Sequence, residues 1–468
     1  MTVRVLGIGA AAPAWRLSAA DVGAAWGRGG RGQVAVCAPD EDTLTLAWEA
    51  GTRALTAAGI EPAHVDALFW GTSRPPFAEG PSFAFCAAAL GCAPTTAGSL
   101  HATSAHSGME ALCAGADAIA AGTARGAVVI ASDAVRPGPG TGFEARAGAG
   151  AVAYVLGTDE PGAGAASIGA RVTRTRPFLD RYRGDGEVDN RDLYDARLFR
   201  EEIFLPVVNE VAEALAAFDV RAWSLPDPDG RLGAVVARKA GAAETPSATV
   251  YAAIGDAGAA APLLGGIAAM DTAGLVAIVA TGGGRTTGLL VDVAAPVPGA
   301  ATTLQSISGG ATASYAEALR ARGQLLPVGE TIPMGVPPES AMFVRGADEM
   351  LGLLGGRCVD CGTISTPPSI HPHCINCGGP KLEPVALSRG GRVHTFVVNQ
   401  TMPAPFVAPL PIAVLDMDDG SRLMLQAIGD GTDIEIGTRV ELVLRKYAHE
   451  RGVPVYGFKA RAKKDDES

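Results

Sequence analysis

Four cysteines constrain this chain more tightly than any other feature. Cys358 and Cys361, and again Cys374 and Cys377, stand as Cys-x2-Cys pairs with twelve residues between the pairs. Each pair can close into a tight knuckle, and four thiolates then complete a tetrahedron around one zinc ion. Gly362 and Gly378 follow the second cysteine of each pair, where a knuckle calls for a residue that tolerates positive φ. With sulfur at all four positions no coordination site is left for water, so such a zinc stabilises a fold and does not catalyse. His371 and His373 lie between the pairs and are read as bystanders, with replacement of a cysteine as the alternative. The other four of the eight cysteines suit buried thiols better than disulfides.

A chain of 468 residues implies two or three domains, the largest with an extensive core. Its residues are 48% hydrophobic and 19% charged, which suits a globular body and not a disordered scaffold. A formal net charge of -11 argues against broad nucleic-acid binding, which needs a positive stripe to displace counterions. The start, MTVRVLGIGAAAPAW, lacks the basic opening and cleavage pattern of a secretory signal, and Gly, Pro, Asp and Arg break every apolar run before it could span a membrane. The expectation is a cytoplasmic protein with no membrane and no nucleic-acid partner.

Residues 1–295 alternate apolar runs with Ala-rich helical stretches, the pattern of an α/β domain. Two series, about 1–165 and 200–295, follow one order and read as diverged copies of one unit. In the first, the helix LTLAWEAGTRALTAAGI leads to VDALFWGTS, the helix at MEALCAGADAIAAG and the strand GAVVIASD. In the second, EEIFLPVVNEVAEALAAF leads to DVRAWSLPDPDG, a strand at ATVYAAIGD, the helix APLLGGIAAMDTAG and the strand LVAIVATGGG. Duplication places matching loops around a shared cleft, so GTSRPP, LHATSAHSG, SLPDPDG and IGDAGAAA become candidate site loops. Between the halves, RPFLDRYRGDGEVDNRDLYDARLFREE alternates charge and reads as a solvated surface insertion or flap, with Tyr182 and Tyr194 its possible functional residues. Residues 296–346, rich in Pro, Gly, Ser and Thr, read as a linker with one helix. A zinc ribbon at 347–384 follows. Short strands separated by Asp-Gly turns over 385–460 have the signature of a small β-barrel, and KARAKKDDES reads as a frayed end.

The string RCVDCGTISTPPSIHPHCINCGGPKLEPVALSRGGRVHTFVV resembles the zinc-ribbon and OB-fold family that accompanies thiolase-like enzymes. In that family the module often docks on a thiolase-like partner and is thought to help hold the CoA thioester. The stretches VDALFWGTSRPPFAEGPS, SLHATSAHSGMEALCAGADAIAAG, RAGAGAVAYVLG and IGDAGAAAPLLGGIAAMD, in that order, resemble the hydroxymethylglutaryl-CoA synthase branch of the thiolase superfamily. The resemblance implies an α/β, duplicated thiolase-like fold layered α-β-α-β-α, followed by the zinc ribbon and an OB-fold β-barrel. It also implies a homodimer, a possible thiolase-like partner, and a CoA or acyl-carrier thioester as substrate, for whose nucleotide a local basic patch would serve.

That family takes up its acyl group on a cysteine, and the matching position here is Ala105. Its acid/base glutamate falls at Ser73, its histidine near Ser224, and its carbonyl-holding asparagine at Asp256. Acyl transfer through an enzyme thioester is therefore not expected. His106, at the start of the following helix, is the leading catalytic candidate, since a helix N-terminus favours neutral imidazole; loop hydrogen bonding by His106 or His101 is the bland alternative. Asp256 can act as a base if burial raises its pKa, or it merely caps a turn beside Gly255. Ser73, Ser104 and Ser224 complete the candidates, as catalysts or as plain loop hydroxyls, and Cys113 is read as a core thiol. The preferred reading is aldol or retro-aldol carbon–carbon chemistry on acyl-CoA, either a lyase or a transferase-like enzyme. A non-catalytic acyl-CoA-binding scaffold subunit and an acyltransferase or cyclase on carrier-protein thioesters are the alternatives.

Overall fold

Helix and strand alternate through the first 326 residues largely as the apolar runs prescribe. The computed structural model describes residues 2–158, 165–191, 195–326, 346–402, 406–450 and 453–463, and the chain divides into two units, Met1–Leu326 and Pro327–Ser468. Strands of the first unit are β1 (Arg4–Ala11), β2 (Trp15–Ser18), β3 (Gln33–Val36), β4 (Ala67–Thr72), β5 (Ala97–Ala102), β6 (Gly126–Ala134), β7 (Ala149–Gly157), β8 (Ala166–Thr175), β9 (Val220–Ser224), β10 (Gly274–Gly282), β11 (Arg285–Val293) and β12 (Ala311–Ala313). Its helices are α1 (Ala19–Ala25), α2 (Thr43–Ala58), α3 (Ser82–Leu90), α4 (Ser107–Ala120), α5 (Ala196–Leu198), α6 (Leu205–Leu215), α7 (Leu232–Ala240), α8 (Pro246–Ile254), α9 (Ala261–Ala268), α10 (Thr303–Ile307) and α11 (Tyr315–Ala321).

Nine strands form one sheet in the order β5-β4-β6-β7-β1-β8-β11-β10-β9. Outward from the β1/β8 junction the sides run β1-β7-β6-β4 and β8-β11-β10-β9, so corresponding elements of the two copies occupy corresponding places. The junction is narrow, with only Arg4 opposite Ser167 and Val5 opposite Ala166. Helix α2 packs on β1, β6 and β7, and α6 packs on β8, β10 and β11. Helices α4 and α9 share a central core with both half-sheets, which yields the α-β-α-β-α layering.

Strand β10 shows how sequence enforces these layers. Val276, Ile278 and Ala280 enter the central core, while Ala277 and Val279 between them pack with α6 and α7. Such two-residue alternation, apolar on both faces, is what a strand between two helical layers requires. Gly108 in α4 permits a close approach, because a Cβ there would collide with the carbonyl of Ala259 and the methyl of Ala131.

Three readings of the sequence are corrected here. The run ATVYAAIGD forms helix α8, not a strand. Pro246 occupies its first turn, where a missing N–H is harmless, and Val250 and Ile254, four residues apart, share a face in the central core. That tertiary burial overrode the β-branched local preference. The stretch from residue 296 is not linker throughout: it belongs to the first unit as far as Leu326. Strand β12 adds to β2 in parallel, and Arg16 Nη2 donates to Ile307 O at 2.6 Å. Residues 327–345 lie outside the described residues, as do 464–468. The supposedly frayed end is ordered through Ala462, paired with its neighbouring strand over its whole length.

The second unit holds α12 (Ala347–Leu351) and a sheet of β13 (Leu354–Cys358), β14 (Ile364–Ser365) and β15 (Leu382–Ala386) in the order β14-β13-β15. Five strands follow: β16 (Gly390–Asn399), β17 (Leu410–Met417), β18 (Arg422–Gln426), β19 (Arg439–Glu450) and β20 (Val453–Ala462), ordered β18-β17-β16-β19-β20. The outer strands curl toward each other. Ala427 bridges Ala460 and Ile428 N–H donates to Ala460 O at 2.9 Å, so the barrel is nearly closed around Ala413, Leu415, Leu442, Leu444 and Phe458. Among the described residues no helix is long and apolar enough to cross a membrane.

Candidate functional site

Three of the four loops singled out by sequence converge on a cavity of about 180 Å³ in the first unit. The turn between β5 and α4 contributes Ala105. Thr103, just before it, has φ 86°, a left-handed conformation uncommon for a β-branched residue. Two hydrogen bonds pin the turn: Ser104 Oγ accepts from His106 N–H at 3.2 Å, and Ser107 Oγ accepts from Ser104 N–H at 3.3 Å. The methyl group of Ala105 is thereby turned to the cavity, while Ser104 and His106 are not among its walls.

His106 is 1% exposed. Its Nε2 lies 2.9 Å from Thr287 Oγ1 and its Nδ1 lies 3.3 Å from Glu110 Oε1. Arg285 also reaches Glu110, at 2.6 Å, and the hydrogen bond from His106 leads the influences that hold Glu110 below the usual glutamate range. The imidazole thus ties α4 to β11. His101 pairs instead with Ser99 Oγ at 2.9 Å, and Cys113 packs against the central core.

The loop after β9 contributes Pro226, Asp227, Pro228 and Asp229. Ser224 itself is fully buried, donating to Pro262 O at 2.5 Å, so the hydroxyl is engaged within the core. Burial, reinforced by the charge of Asp229, pushes Asp227 up to about 6. Its Oδ1 accepts from Arg231 N–H at 2.9 Å, at the entry to α7.

The turn after α8 contributes Asp256 and Gly258. Asp256 Oδ1 accepts from Gly258 N–H at 2.9 Å and Oδ2 from Arg181 Nη2 at 2.6 Å. Arg181 also stands 4.9 Å over the ring of Phe143. Burial opposes its charge, but Asp256, Asp133 and Asp180 outweigh burial and hold the guanidinium above its ordinary pKa. Conversely, burial lifts Asp133 and Asp180 above the usual aspartate range. The fourth loop, GTSRPP, supplies no described wall residue: Ser73 N–H faces Asp133 Oδ2 at 3.4 Å behind the cavity.

The charged segment between the halves is exposed over much of its length, as the alternating charge implied, but it also reaches the cavity. It places Asp180, Arg181, Arg191, Phe199 and Arg200 on the wall, and Phe204 joins them just beyond its end. Residues Phe199–Phe204 form a π-helical turn running into α6, and such turns recur at functional sites. Tyr182 pairs through its backbone with Arg191, while Tyr194 lies outside the described residues. Among the described residues lining the cavity there is no cysteine, serine or histidine.

In the second unit the four cysteine Sγ atoms lie within 4.8 Å of one another, a cluster able to hold a metal ion. Cys358 and Cys377 are 3.6 Å apart, and Cys361 and Cys374 are 3.5 Å apart. Both knuckles have the expected geometry. Gly362 and Gly378 take φ 73° and 74°, and the N–H groups of Asn376 and Cys377 point at Cys374 Sγ from 3.4 and 3.5 Å. His371 and His373 are exposed and outside the cluster.

Solved structures share the architecture of the first unit. MvaS in complex with 3-hydroxy-3-methylglutaryl coenzyme A is 19% identical, with a TM-score of 0.58 over 72% of this chain and 94% of its own. The 3-oxoacyl-[acyl-carrier-protein] synthase III of Aquifex aeolicus is 16% identical, with a TM-score of 0.52 over 62% and 99%. In sequence, the hydroxymethylglutaryl-CoA synthase of Pyrococcus horikoshii is 33% identical over 157 residues, which is 33% of this chain and 45% of that protein. The first unit has a thiolase-like fold. The chain matches just under half the length of this synthase relative. Residues 384–445 match the C-terminal OB-fold domain of ChsH2, so the thiolase-like unit is followed by an OB-fold.

Sequence reasoning missed several wall residues of the thiolase-like unit. Asp227 and Asp229 lay in a loop already under suspicion, and Asp-Pro-Asp-Gly directly after a strand was the available signal. Phe143, Arg146 and Thr281 carried none, since they reach the cavity from two parts of the chain outside the four marked loops.

Proposed function

We propose that the thiolase-like unit binds an acyl thioester in this cavity and makes or breaks a carbon–carbon bond in it by aldol or retro-aldol chemistry, without an acyl-enzyme. One observation carries the reading: the cavity wall includes Ala105, where the resemblance expects a nucleophilic cysteine, and its described residues include carboxyl and guanidinium groups but no thiol, hydroxymethyl or imidazole. In the cleavage direction a base takes the proton of the β-hydroxyl and that carbon becomes a carbonyl. The bond between Cα and Cβ breaks, and its electron pair passes to the thioester enolate, which then takes up a proton. No nucleophile is needed. Arg146 and Arg200 add charge of the sign that a CoA diphosphate or an enolate oxygen requires.

The test is to incubate the purified full chain with a panel of β-hydroxyacyl-CoA and carrier-bound thioesters, and with aldehydes or ketones for the reverse direction. A shortened acyl thioester plus a carbonyl product, resolved by mass spectrometry, is expected. A panel left intact in both directions overturns the reading. The pairing of Asp256 with Arg181 favours a second reading, a non-catalytic acyl-CoA-binding subunit; it predicts calorimetric binding of the thioesters with no turnover.

For the second unit we infer one structural zinc ion on Cys358, Cys361, Cys374 and Cys377. Tetrahedral zinc–sulfur bonds of about 2.3 Å separate sulfurs by about 3.8 Å, and the observed 3.5 and 3.6 Å contacts fit that spacing. Four thiolates fill the coordination shell, so the ion would brace the ribbon and leave the chemistry to the thiolase-like unit.

A further inference from the structure

We propose that Asp227 is the proton-transfer group of this site, in the loop where the resemblance expects a histidine. The proposal rests on the acyl-thioester reading above and assigns its base. Position is the first argument. Ser224 and Leu225 are turned into the core, so the side chains that this loop can offer a substrate begin at Pro226, and Asp227 is the first of them able to exchange a proton.

Comparison with the other acidic wall groups is the second argument. Asp256 is closed off by Arg181 at 2.6 Å and by Gly258 N–H. Asp180 lends Oδ2 to Gly283 N–H at 3.0 Å. Asp229 Oδ1 accepts from both Arg231 and Leu232 N–H at 2.9 Å, which makes it the anchor of α7. Asp227 Oδ1 accepts from the same Arg231 N–H at 2.9 Å, so it shares the capping of this turn with Asp229.

The surroundings of Asp227 favour exchange near neutrality. Burial and the charge of Asp229 push it up to about 6. Tyr251 from α8 also feels the charge of Asp227, and Arg146 and Arg200 share the same cavity wall. A carboxylate of this strength is ionised at pH 7 yet basic enough to accept a hydroxyl proton and return it, the matching that general acid–base catalysis requires.

The experiment measures kcat/KM against pH for wild type, Asp227→Asn and Asp227→Glu on whichever thioester the panel identifies, with carboxyl infrared difference spectra of the same proteins. Wild-type kcat/KM is expected to fall about tenfold per pH unit below about 6. Asp227→Asn should lose about 10²- to 10⁴-fold and the acid limb with it, and Asp227→Glu should restore a limb. In the spectra, a protonated-carboxyl band titrating near pH 6 should be present in wild type and missing from Asp227→Asn. An active wild type whose Asp227→Asn variant keeps its rate and pH profile overturns the assignment and leaves the thioester reading intact. A wild type that shows the band but converts nothing overturns both the reading and the catalytic role, and absence of the band overturns the assignment whatever the activity.

Discussion

Replacing Asp227 by Asn should make the thiolase-like unit more stable, and the gain should depend on pH in one direction only. Burial and Asp229 push Asp227 up to about 6, against about 3.9 for a free aspartate, and at about 1.4 kcal/mol per pH unit the difference is about 3 kcal/mol. Solvent reaches part of this half-buried side chain, so we halve the figure to about 1.5 kcal/mol. The sign follows from linkage: the folded state holds the proton more tightly, so below about pH 4 both states are protonated and no penalty exists. Between about 4 and 6 the penalty grows, and above about 6 it is complete. Asparagine keeps an oxygen for Arg231 N–H and never ionises. The difference in melting temperature between Asp227→Asn and wild type should therefore be near zero at pH 4 and reach about 3 °C in favour of the variant at pH 7.5, measured by differential scanning calorimetry. A variant less stable than wild type at pH 7.5, or a difference independent of pH, would show that Asp227 is a stabilising cap of α7 and refute the reasoning.

Other expectations follow from the same geometry. Arg181→Met strips the cation from Asp256, Asp133 and Asp180 and should destabilise the first unit by about 3–5 kcal/mol at pH 7.5; because burial already lifts Asp133 and Asp180, protonation should shrink the loss at pH 5, as checked by urea denaturation at both values. Ser224→Ala leaves the carbonyl of Pro262 without its buried donor and should cost about 1–3 kcal/mol, read as a lower urea midpoint at unchanged slope. The purified chain should carry one zinc ion by mass spectrometry of the metal, and Cys374→Ser should lose it together with the chelator-sensitive unfolding step of the second unit.

The local code was legible where chemistry is local. Two Cys-x2-Cys pairs with following glycines specify a thiol cluster because the knuckle closes within a few residues, and the structure brings all four sulfurs together. The repeated order of apolar runs likewise specified a duplicated α/β body, since the layers of β10 are written into alternate residues. Helix α8 escaped because its β-branched residues carry a strand preference, and only burial of Val250 and Ile254 against a distant core tips the balance.

The cavity belongs to tertiary structure. Sequence marked the loops around Ala105, Ser224 and Asp256, but whether a loop residue faces the cavity or the core changes within a few residues, as Ser224 and Asp227 show. His106 carried the right chemistry and proved committed to Glu110 and Thr287, the latter 181 residues away in the chain. Arg181, written within a segment of alternating charge, became a half-buried, paired cation only because folding delivered Asp256 and Phe143 to it. Residue type sets what a side chain can do, whereas the partners that consume or tune that capacity arrive from parts of the chain that only the fold brings near.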